Sequence, residues 1–188
     1  MRVIAGRFKS RRLLGSPDLS IRPMTDRVKQ TVFDILSNRL EVEGCAVLDL
    51  FAGTGSLGIE ALSRGAGSVT FVELSRKSIE VLEKNLDSLA IGNEADVAQQ
   101  DVFSYLHHAR RSFDLIFCDP PYKLERITHL PAALHESVAV KDGTWIVMEH
   151  GKQSHIDPDE TRFDVIRKEY GQTILLILRA RKPSQDAL

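Results

Sequence analysis

Residues Ala46 to Gly58 read Ala-Val-Leu-Asp49-Leu-Phe51-Ala-Gly53-Thr-Gly55-Ser-Leu-Gly58, and the fold turns on how this stretch is read. A short apolar run leads into three glycines spaced as G-x-G-x-x-G, and a helix-like segment, Ser56 to Arg64, begins inside the motif. Strand, tight turn and helix in that order open a doubly wound α/β unit. The chain downstream repeats the pattern. Strand candidates are Ala46 to Phe51, Ser68 to Glu73, Ala95 to Gln99, Phe113 to Cys118 and Thr144 to Glu149. Helix-like segments lie between them at Ser56 to Arg64, Ser75 to Leu89, Val102 to Arg110 and Ile127 to Val138, the last started or kinked by Pro131. Ser75 is a natural N-cap, and Ile79, Leu82, Leu86 and Leu89 stripe its helix. Strand and helix repeated in this way predict parallel strands wound with helices on both faces.

The end of the series differs. Arg162 to Glu169 and Thr173 to Arg179 are strand candidates separated by little more than Gly171-Gln172. So short a link, with glycine first, suits a type II′ hairpin and cannot make a parallel crossover. The expected fold is therefore a mostly parallel seven-stranded sheet, Rossmann-like, closed by an antiparallel hairpin. Before the first strand, Arg22-Pro23-Met24-Thr25 breaks the chain, and Thr25 caps a helix carrying Val28, Val32, Ile35 and Leu36. Earlier still, Arg2 to Leu14 alternates charge with apolar residues around Gly6 and suits a small hairpin or an extended arm. The expected division is residues 1–24 as a basic arm, 25–182 as the main domain and 183–188 as a tail.

Composition sets the outer limits. The chain has 188 residues, 43% hydrophobic and 27% charged, enough for one packed core and unlike disordered or fibrous chains. Its apolar runs are strand-length rather than bilayer-length, and the N-terminus lacks a secretory h-region, so the cytoplasm is the expected location. Cys45 and Cys118 sit in apolar runs and are expected to be free, and the six histidines show no metal-ligand spacing, so no metal is expected. The net charge of -1 hides an asymmetry. Residues 1–30 hold eight Lys or Arg against two acids, a net of +6, while the other 158 hold 17 against 24, a net of -7. A polyanion would be drawn to one end only.

The glycine loop admits two cofactor types. Removing Cβ atoms lets a ligand approach the backbone, and Glu73, at the end of the second strand, can accept hydrogen bonds from ribose hydroxyls. Both features serve any adenosine cofactor. Asp49 separates the types, because a carboxylate at that strand end repels the pyrophosphate of NAD and attracts a cation. S-adenosylmethionine (SAM) carries an ammonium and a sulfonium and no phosphate, and is the expected cofactor. Its candidate contacts are Asp49, Phe51, Gly53, Gly55, Glu73 and Asp101. Asp101 follows the third strand, where it could accept an adenine amino hydrogen or serve as a solvated loop residue.

After the fourth strand the chain reads Asp119-Pro120-Pro121-Tyr122, beside the position where doubly wound sheets bind ligands. The prolines stiffen the loop and leave carbonyls free to accept. This suits a planar amine. The Asp119 carboxylate and the Pro120 carbonyl would accept its two N–H groups while Tyr122 stacks on the base, aiming the nitrogen lone pair at the methyl group. Glu149 ends the fifth strand and could line the substrate side or be structural.

Together the glycine loop, Asp-Pro-Pro-Tyr, an upstream Ile-Ala-Gly-Arg and Arg-Pro-Met-Thr-Asp-Arg-Val closely resemble bacterial 16S ribosomal RNA guanine-N2 methyltransferases of the RsmD type, over Arg2 to about Arg181. The resemblance implies a class I methyltransferase fold, transfer of a methyl group from SAM to N2 of one guanine, and a small-subunit (30S) assembly particle as substrate. The amine pocket and the arm, with Arg2, Arg7, Lys9, Arg11 and Arg12 as candidate phosphate contacts, agree with a structured RNA whose target base is unstacked into the site. A monomer is expected. The residues themselves leave open an adenine-N6 methyltransferase acting on DNA or RNA, since the loop meets an amine that both bases carry. A non-catalytic SAM- or RNA-binding module and an NAD oxidoreductase are weaker rivals.

Overall fold

The structure, a computed structural model, describes residues 1–15, 25–121 and 124–183. Strands β1 (Ala46–Leu50), β2 (Ser68–Glu73), β3 (Ala95–Gln99), β4 (Phe113–Cys118), β5 (Val140–Gly151), β6 (Phe163–Tyr170) and β7 (Thr173–Ala180) form one sheet in the order β3-β2-β1-β4-β5-β7-β6. The first five strands are parallel, and β7 runs antiparallel to both β5 and β6. Helices α1 (Asp26–Ser37), α2 (Ser56–Ser63) and α3 (Arg76–Ser88) pack on one face, joining Val47, Phe71, Phe117 and Val147 in a single core. The other face is covered by α4 (Val102–His108), a 3-10 turn (Ile127–His129) and α5 (Leu130–Glu136), over Leu48, Val72, Ile116 and Met148. The inner strands β1, β2, β4 and β7 thus bury both faces, which explains their nearly continuous apolar runs, whereas the edge strands β3 and β6 are more exposed and more polar.

Local chemistry sets the boundaries. Thr25 and Ser75 cap α1 and α3, their hydroxyls accepting the N–H groups of Val28 and Ser78 at 3.3 Å each. Gly171 and Gln172 join β6 to β7, with Gly171 at φ +58 and Tyr170 paired to Thr173, as a type II′ turn requires. Pro131 lies in the first turn of α5, where its missing N–H costs nothing, and the preceding 3-10 turn takes the residues expected to start that helix. The start of β5 departs from the expected Thr144. It begins at Val140, and the register against β4 shifts between Phe113 and Leu115. The Thr144 hydroxyl donates to the Phe113 carbonyl at 2.7 Å and accepts the Lys141 N–H at 3.0 Å, closing the bulge around Gly143 at φ +78. Both cysteines are buried and free.

The described part of the N-terminal arm is a hairpin seated on the domain. The Val3 N–H donates to the Arg11 carbonyl at 3.0 Å, the Leu13 N–H to Met1 at 3.1 Å, and Val3 and Leu13 enter the core beneath α1 to α3. Its anchor is Glu60 on α2, whose side chain is fully buried. The carboxylate accepts the N–H groups of Ile4 at 2.8 Å and Ala5 at 3.0 Å and pairs with Arg64 at 2.8 Å and Lys29 at 3.5 Å. Lys29 is equally buried and donates to the Arg2 carbonyl at 2.8 Å. Gly6, at φ +77, lies so close to α2 that a Cβ there would sit 1.7 Å from the Ser63 carbonyl oxygen. Among the described residues no helix is long and apolar enough to cross a membrane.

Candidate active site

At or just beyond its C-terminal end, every parallel strand carries an acid. Following the sheet order, these are Asp101 after β3, Glu73 on β2, Asp49 on β1, Asp119 after β4 and Glu149 on β5. The alternation of strand side chains assigns their faces. Asp49, Asp119 and Glu149 each lie two residues beyond a member of the α1-side core, respectively Val47, Phe117 and Val147. All three therefore rise from that face, along the edge where the connections from β1 and β4 leave in opposite directions.

The glycine loop is held by two of these acids. Asp49 accepts the Gly58 N–H at 2.8 Å, anchoring the first turn of α2. Burial is the main cause that pushes its carboxyl up to about 8, with Asp119 and Glu73 adding to the rise and the Gly58 bond opposing it. Glu73 accepts the Gly53 N–H at 2.8 Å and the Ser75 N–H at 2.7 Å, tying the loop to the start of α3. Phe51, Gly53 and Gly55 all take left-handed backbone angles, at φ +57, +56 and +83. For Phe51, which the sequence pattern places in the strand, this is strained, and it turns the chain sharply off β1.

The glycines have different reasons for being glycine. A Cβ on Gly55 would lie 2.3 Å from Leu82, and one on Gly58 would lie 2.3 Å from Phe71, so those two permit helix packing. At Gly53 the nearest atom would be the Phe51 carbonyl oxygen at 3.9 Å, which leaves the loop backbone open to a ligand. Sequence reasoning missed Asn85 on α3. Its side chain donates to the Thr54 carbonyl at 3.0 Å and accepts the Leu14 N–H at 2.8 Å, joining the hairpin to the glycine loop. No local pattern marks such a residue.

Asp119 is partly exposed, Pro120 is buried, and the Asp119 carboxylate makes no hydrogen bond among the described residues. Burial pushes it well above the usual carboxylate range. Tyr122, the expected stacking residue, lies outside the described residues. Asp101 caps α4 by accepting the Ser104 N–H at 2.9 Å and remains exposed, with room for another donor. Glu149, which the sequence places either on the substrate side or in a structural role, is brought beside Asp119. Cys118 pairs with Met148, so the next residues along β4 and β5 face each other. Burial and the Asp119 charge both push the Glu149 carboxyl up.

The basic arm divides in two. Arg2 pairs with Asp26 at 3.2 Å, Arg7 with Glu94 at 2.7 Å, and Arg11 donates to the Ser88 carbonyl at 2.6 Å. Lys9 and Arg12 are exposed and make no ion pair among the described residues, so their charges are free for an anion.

The strand order and the antiparallel last strand define a class I methyltransferase fold. The chain belongs to the family described as Conserved hypothetical protein 95, whose profile matches residues 1–179. It is similar to YlbH of Bacillus subtilis (strain 168), at 38% identity over 187 residues covering 96% of this chain and 100% of that protein. It is also similar to Ribosomal RNA small subunit methyltransferase D of Haemophilus influenzae, at 37% identity over 81% of this chain and 79% of that one. Among solved structures, yhhF of Escherichia coli superposes with a TM-score of 0.84 at 28% identity, covering 97% of this chain and 99% of that one.

Proposed function

We infer that the chain is a SAM-dependent methyltransferase acting on ribosomal RNA, and propose that its target is the exocyclic N2 of one guanine in 16S RNA, on an assembled or assembling 30S particle. The observation that carries this reading is the Asp119-Pro120 strand end, rigid and unpaired, beside an acidic rim on the cofactor side. The rim fits a cation and opposes a pyrophosphate. Asp49 would hold the ammonium, Glu73 would accept ribose hydroxyls with its remaining lone pairs, Gly53 would leave the backbone free for close approach, and Asp101 would meet the adenine amine.

Bound there, SAM supplies a methyl group on a cationic sulfur, which keeps the bonding pair when the methyl is displaced. Asp119 and the Pro120 carbonyl accept the two amine hydrogens, turning the nitrogen lone pair out of conjugation with the ring and toward the methyl. As the new C–N bond forms, the nitrogen becomes positive and must lose one proton. Asp119 stabilises that charge and, with its raised affinity for protons, is placed to receive the proton. Lys9 and Arg12 supply phosphate contacts, and the enzyme works as a monomer in the cytoplasm.

The test is tritiated methyl transfer from SAM to naked 16S RNA and to 30S particles from a strain lacking this protein, followed by nucleoside mass spectrometry. N2-methylguanosine at a single position is expected. N6-methyladenosine, or no label in either RNA, would refute the guanine reading.

A further inference from the structure

Glu149 stands apart from the other acids of the rim. It is 8% exposed and its Oε2 is buried without a hydrogen-bond partner, whereas Asp49, the other buried acid of the rim, accepts the Gly58 N–H. Leaving such an oxygen unmade is costly, so a fold keeps one where something else completes it. The sheet order shows on which side the partner enters. The cofactor acids stand on β1, β2 and after β3, whereas β5 lies on the far side of β4. Glu149 therefore flanks Asp119 on the side away from the cofactor, where the ring bearing the target amine must sit. The neighbouring His150 has an unpartnered Nε2 as well, but strand alternation turns it to the opposite face of the sheet.

Two carboxyl groups side by side demand a particular partner. Guanine offers adjacent donors, the N2 amine and the N1–H, on one edge. Adenine places an acceptor, its unprotonated N1, next to its amine. We propose that Glu149 is the specificity-determining residue of this site, its unpartnered Oε2 accepting the guanine N1–H while Asp119 accepts from N2. The proposal rests on the guanine reading above and explains it, since the Asp-Pro-Pro-Tyr loop alone treats both amines alike. Bonding to the two donors favours the ionised carboxylates that burial disfavours, whereas an adenine edge would be met only by a protonated Glu149, so the comparison below is made at pH 8.5, where the carboxylate form prevails.

The experiment compares 16S RNA carrying either guanine or 2-aminopurine at the methylated position. 2-Aminopurine keeps the N2 amine and lacks the N1–H. Wild-type enzyme is expected to favour guanine by about 10⁴-fold or more in kcat/KM, as for a site built to bond a group the analogue lacks. Glu149→Gln, whose amide can donate to an unprotonated N1, should bring that ratio close to one, with SAM affinity unchanged within a few-fold. A wild-type ratio retained by Glu149→Gln overturns the proposal. So does equal reaction of both RNAs with wild-type enzyme, a comparison that needs no variant to fold. If wild-type enzyme labels no guanine at all, the guanine reading itself has failed, and this is visible before any variant is made.

Discussion

The Asp49 carboxylate reaches over the glycine loop to the Gly58 N–H, 2.8 Å away, so the group expected to hold a cation also anchors the helix that shapes its site. Its pKa is raised from 3.8 to about 8. The native state therefore binds this proton more tightly than the unfolded chain, and the contribution of Asp49 to stability falls as pH rises from about 4 to about 8. A cation beside it favours ionisation. SAM affinity should accordingly weaken as pH drops below 8, by up to about tenfold per unit. Asp49→Asn should flatten that dependence and weaken binding at pH 8.5 by about 1.5–3 kcal/mol, the range for a charge-assisted bond. Calorimetry across pH measures both effects, and an Asn variant with wild-type affinity and slope would remove Asp49 from the cofactor site.

Asp119→Ala should bind SAM within a few-fold of wild type yet lose on the order of 10² or more in single-turnover methyl transfer. Asp119→Asn keeps one acceptor oxygen and loses the charge. A loss as deep as that of alanine would assign the effect to charge or proton acceptance, and a shallower one to orientation. Tyr122→Phe should be tolerated, whereas Tyr122→Ala should weaken RNA use by about 1–3 kcal/mol through lost stacking. Quench-flow with labelled SAM reads all four.

Gly53 and Gly55 should fail in different ways. Gly55→Ala drives a methyl group into Leu82 and should lower the melting temperature markedly. Gly53→Ala meets open space and should cost only the roughly 1–2 kcal/mol of a left-handed backbone angle, while its methyl group obstructs the cofactor. Thermal melts with and without SAM separate the two effects, since added SAM should protect the Gly55 variant and scarcely protect the Gly53 variant.

Neutralising Lys9 and Arg12 to Gln should reduce the slope of log affinity against log salt for RNA by about 0.7–0.9 per residue, with SAM binding intact. The same change at Arg7 should do less, because its charge is already matched by Glu94. Filter binding across a salt series checks this, and equal slopes for all the variants would make the arm purely structural.

Glu60→Ala would leave Lys29 buried without its counter-ion and the Ile4 and Ala5 N–H groups without an acceptor. Breaking one side of such a cluster costs about 3–5 kcal/mol. The melting temperature should fall by roughly 6–20 °C. A loss below about 1 kcal/mol would mean that the hairpin is held by its apolar contacts alone.

Much of this molecule is legible locally. The caps at Thr25 and Ser75, the Gly171-Gln172 turn and the apolar runs of β1, β2 and β4 announce themselves within a few residues, because backbone geometry and burial on both faces act at short range. The acids at Asp49, Glu73, Asp101 and Asp119 follow from strand ends that can be counted. What escapes are relationships across the chain. The pairing of Glu60 with Ile4 and Lys29, the bridge from Asn85 to Thr54 and Leu14, and the bulge closed by Thr144 depend on partners distant in sequence or on register. Glu149 was visible as a strand end, but only the parallel pairing of β4 with β5 places it beside Asp119.

The last strand, β7, lies inside the sheet between β5 and β6. A chain emerging from the N-terminus can assemble β1 to β5 first, yet it must carry the apolar edge of β5 unpaired until residues 173–180 arrive. The opening hairpin waits too, since its anchors at Glu60, Ser63 and Asn85 are made after it. The hairpin can settle once residue 85 is made, but the β7 end settles last, and until then the nascent molecule exposes a strand edge that a second copy could occupy.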